Sequence, residues 1–244
     1  SSNVYVAGDD DQAIFGWAVA DVQSFIKFDA VEISLQQSHR VPRLIYNTAI
    51  RRLDNITEGR IKKNYFPTVE KGNVKTFFSI DTINLSKEDW YILARTNDLL
   101  KPIISQLHRR GIYYETRQGP SLSKSLYRDI LNWEKWKKGE QLNTIEAQRV
   151  FERLGLKLKE TDDKLFSLDS LILLYPTIQK SPWYDAFTTI TPRTKTYIRA
   201  MRKNGENLKE KPRIKVITLH GSKGGEATNV VILQTQTTNT IKAA

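Results

Sequence analysis

No cysteine occurs in these 244 residues, which excludes disulfides and thiolate metal sites and fits a reducing cytoplasm, the compartment expected here. No run of about 18 apolar residues occurs, so no membrane span is expected. The first dozen residues, SSNVYVAGDDDQ, lack the basic start and long apolar stretch of a secretory leader. Acid is also in short supply, with 27 Asp and Glu against 38 Lys and Arg, a formal charge of +11. The imbalance is uneven: residues 1–40 carry a net −4, while 41–80 and 201–244 each carry +5. Clustered cations attract nucleic acid by releasing its counterions. A well-solvated basic surface explains the same charge, and composition alone leaves the two open.

What is present is enough apolar residue, 39%, for a packed core. Short β-branched and aromatic runs at 3–7, 31–35, 74–80 and 90–94 read as strands. Leu44, Ile45, Ala49, Leu53 and Ile56 recur at helical spacing, with Pro42 suited to a first turn. Asn97 reads as the cap of a helix carrying Leu99, Leu100, Ile103, Ile104 and Leu107, with Gly111 as its left-handed stop. Extended structure resumes at 112–115. From about Leu122 to Asn204 the spacing turns helical, with Ser181-Pro182 as an N-terminal signal and Asn204-Gly205 as a stop. Strand character returns at 214–219 and 230–233. The alternation predicts an α/β protein with a parallel sheet, interrupted by a helical insertion.

Three loops follow predicted strands and carry groups suited to phosphate or nucleic acid. In the first, Gly8 to Trp17, Gln12 is able to meet a phosphate oxygen, and Trp17 offers a face for a base. An acidic turn and a core tryptophan are the plain alternative. In the second, Ser38-His39-Arg40, the guanidinium suits a phosphate fork and the imidazole a base, though a surface arginine is the commoner case. The third, Thr218 to Glu226, has three glycines among six residues and Lys223. It reads either as an anion nest or as a tight strand joint. The phosphate-loop pattern G-x-x-x-x-G-K-S/T is absent from the chain.

Taken together, the three loops resemble motifs III, IV and V of UvrD/Rep-type superfamily 1 DNA helicases. GDDDQAIFGWAVAD is similar to G-D-x-x-Q-S/A-I-Y/F-x-W/F. Leu35 to Arg40 resembles L-x-x-N-Y-R, and Ile217 to Ile232 resembles T-x-H-x-x-K-G-x-E-x-x-x-V. The resemblance implies residues 1–30 ending a first RecA-like domain. A second RecA-like domain, P-loop NTPase-type but without a Walker A, would comprise 31–131 and 212–244. A short helical 2B-like insertion would span 132–211. It further implies that Gln12 senses and Arg40 contacts the γ-phosphate, both in catalytic roles. His39 stands at an adenine-packing tyrosine position. Lys223 and Glu226 join the ATP side, while Trp17, Arg95 and His220 meet single-stranded DNA.

Some positions depart from the family. Trp17 is followed by Ala18 where an arginine is common, and Gly225 replaces the usual leucine. The Walker A lysine, the D-E-x-Q-D block and the motif VI arginine are not in the sequence. The resemblance therefore implies ATP and Mg²⁺ in a full-length parent, no metal held by these residues alone, and a partner in the missing N-terminal RecA-like domain. The polypeptide by itself is expected to be inactive. A stand-alone single-stranded nucleic-acid-binding module, the helicase half of a helicase–nuclease, and a recruitment domain acting through residues 120–210 are the alternatives.

Overall fold

A computed structural model of the chain describes residues 4–13, 21–56, 61, 63–158 and 165–234. The chain divides into two compact units, 1–83 and 84–244.

Unit 2 is built on a sheet whose central strand, β1 (Trp90–Ala94), buries Ile92, Leu93 and Ala94. A near-continuous apolar run of this kind suits a strand covered on both faces. After β1 come α3 (Asn97–Arg109), β2 (Tyr114–Thr116) and the two-residue β3 (Gly119–Pro120). The sheet is completed far along the chain by β6 (Ile214–Thr218) and β7 (Asn229–Ile232), in the order β3-β2-β6-β1-β7. All pairings are parallel except the β2–β3 hairpin. The register sets Ala94 opposite Thr218, so the loops after β1 and β6 leave the same edge side by side.

Helix α3 buries Leu100, Ile103 and Leu107, a one-face pattern. Its end is a Schellman turn: Ile112 N–H donates to Leu107 O (3.0 Å) and Gly111 N–H to His108 O (3.1 Å). Gly111 has φ +63°, and a Cβ there would stand 2.5 Å from Ala200 Cβ, so only glycine suits both backbone and packing.

Between β3 and β6 lie α4 (Lys124–Lys137), α5 (Thr144–Leu154), α6 (Leu168–Leu174), α7 (Trp183–Ala186) and α8 (Pro192–Lys203). They pack around Trp133, Trp136, Phe151 and Phe187, all fully buried. Trp133 meets Trp136 and Phe187 edge-on at 6.5 and 5.9 Å. Both indole N–H groups are satisfied, by Ser181 O and Phe166 O. The region is not purely helical, because β4 (Leu142–Asn143) pairs antiparallel with β5 (Leu165–Phe166). Residue 132, the expected start of the insertion, lies inside α4. No helix among the described residues is long and apolar enough to cross a membrane.

Unit 1 contains α1 (Val22–Ile26), α2 (Arg43–Leu53) and an isolated parallel bridge, Gln37–Phe66. The strands expected at 3–7, 31–35 and 74–80 do not form among its described residues. Val31, Ile33 and Leu35 are 92%, 82% and 84% exposed. Alternation makes a segment competent for a sheet, but a strand exists only where a neighbour takes its backbone hydrogen bonds. Cap positions shift by one residue from expectation. Thr96 occupies the N-cap position of α3 without a side-chain capping bond, Pro42 precedes α2, and Pro182 precedes α7.

Candidate nucleotide and nucleic-acid interface

In unit 1, the Asp9–Gln12 turn is built on carboxylates. Asp9 accepts from Asp11 N–H (3.2 Å) and from Gln12 Nε2 (2.7 Å), so the Gln12 amide is oriented by its own loop. Lys63 enters from more than fifty residues away and contacts Asp9 Oδ1 at 2.6 Å, Asp11 Oδ2 at 3.4 Å and Asp10 Oδ1. Asp10, with its side chain 1% exposed, also accepts from Ile61 N–H at 2.7 Å. Burial alone would raise the Asp9 and Asp10 carboxyls. Hydrogen bonds and charge from Lys63, with Gln12 on Asp9 and Ile61 on Asp10, outweigh it and hold both below the usual carboxylate range. Burial likewise opposes the Lys63 ammonium, yet Asp10 and Asp9 drive its pKa upward. Three carboxylates share one lysine, which offsets one of their three formal charges and ties the turn into a knot. Among the described residues no group of His, Cys, Asp or Glu is arranged to hold a metal ion.

The Ser38–Arg40 turn is held by the next part of the same stretch. Ser38 N–H donates to Phe66 O and Phe66 N–H to Gln36 O, both at 2.9 Å. Thr68 N–H donates to Val41 O at 3.0 Å, and Gln37 Nε2 reaches Phe66 O and Pro67 O. Ser38 Oγ accepts from Val41 N–H, shaping the bend on which His39 and Arg40 stand exposed. Residues 61–68 thus tie down both the Gln12 turn and the Arg40 turn. Sequence reading missed Lys63 entirely. The available signal was the Asp9-Asp10-Asp11 run, which requires a counter-charge if folded inward.

In unit 2, Arg95 follows β1 and the 218–226 loop follows β6. Leu219 N–H donates to Ala94 O at 2.9 Å, which keeps the two loops together past the strand ends. This brings Arg95, exposed, and His220, half-buried, to one carboxyl edge of a parallel sheet, the usual ligand-bearing edge of such folds. Lys223 and Glu226 stand exposed farther along the same loop.

The loop is not an anion nest. Gly221 N–H donates to Thr218 Oγ1, and the N–H groups of Ser222, Lys223 and Gly225 donate to Leu219, His220 and Ser222 carbonyls. These four backbone donors are spent within the turn rather than held open for an anion. Gly224 has φ +77°, and a Cβ on Gly225 would lie 2.7 Å from Tyr91 Oη. The second glycine, at a position where leucine was expected, therefore fits beside Tyr91. Asp89 fixes the loop's exit by accepting from Thr228 N–H at 3.0 Å. The Thr228 hydroxyl and N–H hold the Asp89 carboxyl below its usual range.

Gln12, His39 and Arg40 belong to unit 1, and Arg95, His220, Lys223 and Glu226 to unit 2. Trp17 lies outside the described residues.

The chain is a mixed α/β protein whose mostly parallel sheet lies in unit 2, with Arg95, His220 and Lys223 on the loops at that sheet's carboxyl edge. Over part of its length the chain is homologous to UvrD/Rep-type superfamily 1 DNA helicases. It is 35% identical over 140 residues to DNA helicase II of Haemophilus influenzae, a match covering 49% of this chain and 19% of that protein. It is 37% identical over 65 residues to the ATP-dependent DNA helicase PcrA of Staphylococcus aureus strain Mu50, covering 25% of this chain and 9% of that protein. The matches thus span less than a fifth of these relatives. No protein-family profile matches the chain, and no solved structure does.

Proposed function

We propose that the chain is part of an ATP-dependent superfamily 1 helicase or translocase that moves on single-stranded DNA during replication or repair. Residues 31–131 and 212–244 are its second RecA-like domain, 132–211 a short insertion, and 1–30 the end of the first domain. Gln12 senses the γ-phosphate and Arg40 neutralises it as charge develops, with His39 against the adenine and Lys223 and Glu226 on the nucleotide side. Arg95, His220 and Trp17 grip the strand.

The observation carrying this reading is the shared tether. The Gln12 turn and the Arg40 turn are bound to one stretch, Ile61 to Thr68, with Lys63 and Phe66 only three residues apart. Two groups assigned to the same phosphate need a common frame, and this stretch supplies one. Among the described residues the acidic turn does not fit a magnesium site, because Lys63 already occupies it. ATP and Mg²⁺ belong to the full parent, whose N-terminal RecA-like domain is the required partner.

Phosphate release in the presence of single-stranded DNA tests the proposal. The 244-residue chain alone gives no turnover above background. A parent polypeptide containing it hydrolyses ATP and loses about 10³-fold or more in kcat on Arg40→Ala. Turnover by the chain alone that Arg40→Ala abolishes, or a parent indifferent to Arg40, overturns it.

A further inference from the structure

The helical layer of unit 2 carries a second cationic and aromatic feature, unrelated to the three loops. A cleft of roughly 300 Å³ opens between α4, α7 and α8. Its wall includes Trp183, Tyr184, Lys137, Arg199 and Arg202. Arg199 is exposed, and its guanidinium lies over the Tyr184 ring, 4.5 Å from the centroid. Arg202 is already committed: it forms a two-pronged pair with Glu134 at 2.5 and 3.3 Å. Among the described residues neither Arg199 nor Lys137 has an ion-pair partner, so two cations face the cleft uncompensated. Helix α8 deepens the field, with Arg193, Lys195, Arg199, Arg202 and Lys203 and no acid.

A core function does not account for this arrangement. Trp183 is buried and packs, but Tyr184 is only half-buried and the exposed Arg199 lies over its ring. Planar groups in a cationic cleft suit a base on its π-face and a phosphate on the N–H edges. We infer that the α4–α7–α8 cleft is a second single-stranded DNA site. A base stacks on the Tyr184–Arg199 pair, and the adjoining phosphodiester lies against Arg199 and Lys137. This site lies beyond the loops after β1 and β6, shares no residue with them, and does not depend on their role.

The test is binding of the full chain to a fluorescent oligo(dT), followed by anisotropy across a salt series, with photo-cross-linking of an iododeoxyuridine-substituted oligo(dT). Tyr184→Ala weakens binding about fivefold or more, while Tyr184→Phe retains it. Arg199→Ala combined with Lys137→Ala, which frees the one phosphate they share, lowers the steepness of log affinity against log salt by about 0.7. The unaltered chain cross-links at Tyr184, a readout that does not depend on any variant folding. Absence of that cross-link, or an unchanged slope, overturns the inference. Polyglutamate competing as well as oligo(dT) overturns it too, since the cleft would then be an unselective anion patch. Arg95→Ala separates the two sites. Loss only with Arg95→Ala leaves the proposed function standing and removes the cleft. Loss only with the cleft variants supports the cleft and counts against the loop assignment.

Discussion

The two units are held together by different physics. Unit 2 buries a continuous apolar core, with Ile92, Ile130, Trp133, Trp136, Phe151 and Ile214 excluded from water. In unit 1, among the described hydrophobic residues, only Ile80 and Ile83 are buried, while Tyr5, Val31, Ile33 and Phe78 stand exposed. What organises unit 1 is polar: the Lys63 knot, the Gln37–Phe66 bridge and the backbone bonds from residues 66–71 to 36–44. Apolar burial is indifferent to salt, whereas a carboxylate knot is weakened by salt and undone by strong acid. The contrast teaches that one region of the chain rests on packing and the other on charge.

The strongest way to break this contrast is to empty the core of unit 2. Trp136→Ala removes a fully buried indole and is expected to cost about 3–5 kcal/mol. Chemical denaturation followed by far-UV circular dichroism would show it. A loss under 1 kcal/mol would mean that the aromatic cluster is not what stabilises unit 2.

Next in size is the knot in unit 1. Lys63→Ala leaves three inward carboxylates without their cation, at a cost of about 2 kcal/mol, reduced from that of a sealed pair because the cluster reaches water at its rim. The Asp9 and Asp10 pKa values are depressed in the fold. Their contribution is therefore present above the ordinary aspartate pKa near 3.9 and is lost as pH falls through the lower folded values. Carboxyl carbon NMR titrations should show Asp9 and Asp10 moving upward in the variant. Unmoved titrations would leave Lys63 a bystander.

The smallest effect concerns a ring inside unit 2. His108 stacks on Tyr197 at 3.8 Å, and burial, with the nearby charge of Arg193, pushes its pKa down. The unfolded chain then takes up the proton first. Stability is complete above the ordinary histidine pKa near 6.5 and erodes as pH falls from there toward the folded value. Glu206 is pushed up by burial, only partly offset by Arg213, and acts in the opposite sense. The comparison that isolates the imidazole is therefore between the wild type and His108→Gln. The drop in Tm from pH 7.5 to 5.5 should be smaller in the variant; an equal drop would assign the sensitivity elsewhere.

Much of unit 2 was legible in the sequence because its signals are local. Trp90 to Ala94 is a buried apolar run, α3 has one apolar face, and Gly111 and Gly205 mark their helix ends. The strands of unit 1 misled for the same reason, since Val31, Ile33 and Leu35 state a preference that only a neighbour can satisfy. At the candidate site, Arg95 and His220 come together through register, which follows once β1 and β6 are paired. The Asp9-Asp10-Asp11 run asks for a counter-charge without saying that Lys63 supplies it, and nothing local marks the Tyr184–Arg199 pair. The Lys63 contact joins residues more than fifty positions apart, and the pair depends on how α7 meets α8. Neither separation leaves a periodic trace.

The stretch from Ile61 to Thr68 also works as a ruler. Lys63 grips one turn and Phe66 the other, and three residues of chain span at most about 10 Å. A one-residue deletion between them would shorten that gauge and turn the intervening side chains over, leaving no register in which both grips hold. The interval is what such a stretch holds fixed, and Tyr65 reinforces it by donating its hydroxyl to Asp9 Oδ2 at 3.4 Å.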